Sequence, residues 1–107
     1  MNVREELRSA EGMLRRRYDL VERIGSEDTK AEAWNTFQSM LTCVKEVRKH
    51  SGRIMSVVDD DTAEVALSMR DVLWEAEECL KSAEANVLKW GYTQSETNNL
   101  RNLVFSL

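Results

Sequence analysis

The amino-acid sequence predicts an all-α protein, an antiparallel helical bundle of three long helices plus a short C-terminal fourth helix, in a single domain spanning residues 1–107. Three observations predict it. The 107-residue chain contains no Pro, which removes the commonest obstacle to long helices. Its 42% hydrophobic and 32% charged residues suit amphipathic helices around one core. The stretch from Asp61 to Trp90 runs without Gly or Pro, and its apolar residues recur at helical spacing.

The first helix is expected from about Asn2 to Ile24. Val3, Leu7, Ala10, Leu14, Tyr18, Val21 and Ile24 form its stripe, with Met13 and Leu20 on one flank. Gly25 follows, where a helix often ends in a left-handed residue. Thr29 with Glu32 then matches a capping box, in which each side chain satisfies the other residue's free backbone N–H. The second helix carries Ala33, Phe37, Met40, Val44 and Val47, and its phase continues through Ser51, Ile54 and Val58. Gly52 would cost about 1 kcal/mol there, less than burial of Ile54, Met55 and Val58 returns at about 1.5–3 kcal/mol each. One helix from Lys30 to Val58 is therefore expected.

Asp59-Asp60-Asp61 reads as an acidic turn, with Asp61 and Glu64 capping the third helix. That helix buries Val65, Met69, Val72, Ala76, Cys79, Ala83 and Trp90 in one row, and Ala66, Leu73, Leu80 and Val87 in the next. Gly91 closes it. Thr93 with Glu96 makes another capping box, and Leu100, Leu103, Val104 and Leu107 mark the fourth helix. Folding back from Gly91, this last helix is expected to cover Ala85 and Leu88. Trp34 and Trp90 are expected to close that end of the core with Tyr18 or Tyr92.

Composition bounds the function. No apolar run approaches the roughly 20 residues of a membrane span, and the N-terminus Asn2-Val3-Arg4-Glu5-Glu6 lacks a signal-peptide core, so no membrane partner and a cytoplasmic location are expected. Cys43 and Cys79 then read as free thiols, although their register in adjoining helices permits a pair. Charge is uneven. Residues 1–25 carry six Arg against five acids, whereas residues 59–90 carry three bases against nine acids. The acidic third helix is expected to face the two mildly basic ones.

No catalytic, cofactor-binding or metal-ligating constellation is expected. Asp59-Asp60-Asp61 lacks the alternating acids, Gly and terminal Glu of a calcium loop. Arg15-Arg16-Arg17 and Lys45, Arg48, Lys49 and Arg53 alternate with acids, which makes direct nucleic-acid binding a poor reading. His50 and Arg53 resemble the exposed helical His and following basic residue of histidine phosphotransfer domains. The resemblance implies phosphotransfer through His50, although the Lys-Gly that should follow at the third and fourth positions is Arg53-Ile54.

The strongest functional signal is out of phase with the core. At about 100° per residue, Leu67 and Trp74 point roughly 150° away from the third helix's stripe. A non-catalytic interaction module is expected, whether adaptor, assembly subunit or small inhibitor, with Leu67, Asp71, Trp74, Glu75 and Glu78 as its partner-binding residues. Their acids favour another protein with a basic surface, and self-association as a homodimer uses the same face. A narrower alternative is an acidic inhibitor that competes with nucleic acid for a basic groove through Asp71, Glu75, Glu77, Glu78 and Glu84.

Overall fold

A computed structural model describes residues 2–107. Among these residues every regular element is helical: α1 (Val3–Arg15), α2 (Tyr18–Glu22), α3 (Lys30–Met55), α4 (Ala63–Lys89) and α5 (Gln94–Ser106). The bundle is elongated, with extents of 48 × 26 × 16 Å, because its two longest helices lie side by side. α3 packs most extensively on α4, α1 lies across both, and α5 lies along α3.

The first predicted helix is interrupted at Arg16–Arg17, which separates α1 from α2. There the Arg17 N–H donates to the Leu14 carbonyl at 3.0 Å, one residue short of the α pattern. That tightening releases the Met13 carbonyl. It is satisfied instead by the Arg17 guanidinium at 3.0 Å, with the Cys43 thiol also directed at it from α3. Val3, Ala10 and Leu14 of the expected stripe are buried, but Tyr18 is exposed beyond the break.

α3 is continuous through Gly52, as its phase requires, and stops at Met55 rather than Val58. Met55 and Val57 are exposed, so Ile54 alone supplies full burial at that end. At about 100° per residue, the buried residues from Leu41 round to His50 cover about half the helix circumference. Thr29 caps α3 by accepting the Glu32 N–H at 3.1 Å.

A short 3₁₀ turn, Asp60–Thr62, precedes α4, and its cap is Asp59 with Thr62 instead of Asp61 with Glu64. The Thr62 N–H donates to Asp59 at 3.1 Å and the Asp59 N–H to Thr62 at 3.0 Å. α4 buries Val65, Met69, Ala76, Leu80, Ala83 and Val87 as predicted, with Val72, Leu73 and Cys79 half-buried. Trp90 is an exception. It caps the helix C-terminus and is exposed, while Trp34 stacks on Tyr92 with ring centroids 4.4 Å apart.

Gly91, at φ +102°, turns the chain onto α3 and not onto the outer side of α4. The capping box of Thr93 and Glu96 starts α5 as expected. Its covered face is Thr97, Leu100, Val104 and Phe105, with the Arg48 guanidinium over the Phe105 ring at 4.8 Å. Leu103 and Leu107 are exposed, and Ala85 is left uncovered by this helix.

One buried acid lies outside every predicted stripe. Glu27, in the loop before α3, is only 7% exposed. Its Oε2 accepts from the Gly25 N–H at 2.9 Å and from the buried Asn86 amide of α4 at 2.8 Å, which ties the loop to the bundle end.

Two substitutions test this account. Glu27→Ala leaves both donors without that acceptor and is expected to cost about 1–3 kcal/mol, read as a lower urea midpoint at unchanged slope. Gly52→Ala meets open space at an ordinary helical conformation and is expected to stabilise by up to about 1 kcal/mol in the same titration.

Candidate functional site

Residues that could carry chemistry are dispersed. No helix among the described residues is long and apolar enough to cross a membrane. Among the same residues no group of three or more His, Cys, Asp and Glu side chains is arranged to hold a metal. Cys43 and Cys79 are free thiols. Burial raises the pKa of both, and neighbouring Glu75 adds to the rise at Cys79, so neither is poised as a thiolate nucleophile.

His50, which the phosphotransfer expectation takes as an exposed imidazole, is largely covered. It is 9% exposed, and its Nδ1 is hydrogen-bonded to the Glu6 carboxylate of α1. The Arg53 guanidinium also reaches Glu6, at 3.6 Å. The cluster is a polar clasp between α1 and α3. The hydrogen bond from His50 is the main reason that the Glu6 pKa falls below its ordinary value.

The outer face of α4 is different. Trp74 is 66% exposed near the middle of the helix, and Leu67 is 60% exposed two turns before it, in the second turn. They form a ridge because α1 with α2 covers one side of α4 and α3 the other. Arg70, Asp71, Leu73 and Glu77 line a shallow groove with them. Asp71 is exposed and, among the described residues, forms no ion pair. Of the five expected contact residues, Leu67, Asp71 and Trp74 thus share one groove. Glu75 and Glu78 lie beside it on the flank toward α2.

The ion pairs sort the acids of α4. Glu64 pairs with Arg4 of α1 at 2.6 Å, Glu77 with Arg48 of α3 at 3.2 Å, and Glu84 with Arg101 of α5. The expected complement between the acidic helix and the two basic ones before it is therefore met at two points, and Arg101 of α5 adds a third pair. Asp71, Glu75 and Glu78 have no cationic partner on another helix. Glu75 accepts from the Tyr18 hydroxyl at 2.8 Å, which raises the tyrosine's pKa, and Glu78 pairs within α4 with Lys81 at 3.1 Å. At about 100° per residue these three acids fall within about 60° of arc, all on one side of the Leu67–Trp74 ridge. Of the five acids expected in the inhibitor alternative, Glu77 and Glu84 are engaged by Arg48 and Arg101.

Arg70 and Lys81 were not singled out by sequence reasoning, although both lie at the same out-of-phase positions as Leu67 and Trp74. Comparison of the chain with protein-family models, with curated proteins and with solved structures gives no match in any of the three.

Acid titration tests the electrostatics of the bundle. Glu6 is lowered by His50, and Glu96 is lowered by the backbone N–H of Thr93, both from an ordinary value of 4.5. A carboxyl lowered by folding stabilises fully above its unfolded pKa and loses that contribution as pH falls through its folded pKa. Stability is therefore expected to fall below about pH 4.5, and Glu6→Gln with Glu96→Gln to flatten that limb of a plot of urea midpoint against pH.

Proposed function

We propose that this chain is a non-catalytic interaction module that acts by presenting the outer face of α4 to another protein. The observation that carries the reading is the exposed Trp74–Leu67 ridge, on a helix whose opposite face is buried along its length. Tryptophan is the side chain most often found at the energetic centre of protein interfaces, since its large rigid surface loses little entropy when covered. A ridge held by a packed helix is also already in its bound conformation, which lowers the entropic cost of association. The free thiols fit a reducing compartment, and we place the module in the cytoplasm.

The test separates folding from binding. Trp74→Ala is expected to change stability by no more than about 0.5 kcal/mol, as a surface substitution does, and to leave the far-ultraviolet helical signal unchanged. Affinity capture from the native host, compared by mass spectrometry with wild type and with Trp90→Phe, is expected to lose its specific partner only with Trp74→Ala. Capture that is indifferent to position 74, or a variant that unfolds, overturns the reading.

A further inference from the structure

We infer that the occupant of the α4 face is a basic amphipathic helix of another protein, rather than an extended peptide or a second copy of this chain. The inference rests on the docking role proposed above and deepens it. The backbone of α4 is hydrogen-bonded within its own helix, so the face offers no free N–H or C=O to a partner. An extended segment laid on it would leave its own backbone groups without partners, whereas a helix brings them already satisfied. Leu67 and Trp74 lie about 10.5 Å apart along the axis, two helical turns, which matches apolar side chains at i, i+3, i+4 and i+7 of a partner helix.

Charge specifies the rest. Asp71, Glu75 and Glu78 flank the ridge on one side and have no cation from another helix. Lys or Arg along one edge of the incoming helix would meet them. The same distribution disfavours a second copy. An antiparallel two-fold pair sets each flank against its own copy, so the acidic flank faces itself. A parallel pair gains one favourable contact, Arg70 with Asp71, against two unfavourable ones, Lys81 with Lys81 and Glu77 with Glu78. Area argues the same way. A wholly buried large aromatic covers about 150–250 Å², so this ridge is small beside the roughly 800 Å² per partner of a stable interface. A reversible complex in which charge assists a small apolar anchor fits these limits.

The experiment is a display library of helical peptides, with a fixed leucine stripe and randomised flanking positions, selected on the full chain. The recovered peptides are expected to carry Lys or Arg along one edge and to lose binding to Trp74→Ala. They are expected to weaken about tenfold or more against the surface variant Asp71→Lys/Glu78→Lys, and to weaken as salt is raised from about 0.05 to 0.15 M. Peptides that require Trp74 but ignore the charge reversal overturn the basic-helix inference and leave the docking role standing. Recovery of no peptide that depends on Trp74 overturns both. A dimer seen by light scattering across a dilution series, and lost in Trp74→Ala, makes a second copy the occupant and likewise overturns the inference.

Discussion

The burial of α3 constrains everything else in this molecule. Its apolar and small residues occupy about half the helix circumference, from Leu41 round to His50, and no single neighbour covers so wide an arc. Three helices share the task. α4 and α1 take the larger part, and α5 closes the side that bears Leu41, Lys45 and Arg48. Since α5 is committed to α3, α4 retains neighbours on its inner side alone. The 13 residues of α5 span about 20 Å, short of the roughly 25 Å from Gly91 back to Trp74, so Trp74 and Leu67 lie on this outer face beyond its reach in any packing.

Polar contacts between helices set register more than they add stability. An exposed ion pair contributes about 0–1 kcal/mol, so Arg4–Glu64 and Arg48–Glu77 are minor beside the buried core. Their positions are informative nonetheless. Each joins a different helix to α4, and together with Arg101–Glu84 they engage the acids at its edges and end. The acids left unmatched by another helix gather beside Trp74. The buried partners Glu27 and Asn86 act differently, since separating them would leave a desolvated polar group, and they hold the loop before α3 against the far end of α4.

Periodicity made the long helices legible, because a 3.6-residue repeat sustained through Gly52 or from Val65 to Val87 has few alternative explanations. Leu67 and Trp74 were legible for the converse reason, that they break this repeat. The features that escaped depend on contacts distant in sequence. The interruption at Arg16–Arg17 is stabilised by the guanidinium of Arg17 returning to the Met13 carbonyl, beside a thiol of α3. Glu27 reads as a solvated loop acid until Asn86 is placed against it. In α5 the repeat of Leu100, Leu103, Val104 and Leu107 competes with Phe105, and the aromatic ring under Arg48 prevails, which rotates Leu103 and Leu107 outward. At the candidate site, the acidic character of α4 was visible from composition. Which of its acids remain unmatched required the positions of Arg4, Arg48 and Arg101.

An exposed apolar side chain is ordinary in itself, and this chain has others: Tyr18, Met55, Val57, Trp90, Leu103 and Leu107. Their settings differ from that of Trp74. Tyr18 and Trp90 flank turns, Met55 and Val57 lie where α3 ends, and Leu103 and Leu107 belong to α5, whose single fully covered residue is Thr97. Such positions fray or shift at little cost, so a partner gripping them would first have to order them. Trp74 projects instead from near the middle of α4 and Leu67 from its second turn, both directly behind Val65, Met69, Ala76 and Leu80, whose burial holds the backbone in place. Rigid support beneath an exposed indole, with acids along one side that no cation of another helix meets, distinguishes this ridge from the incidental apolar surface elsewhere.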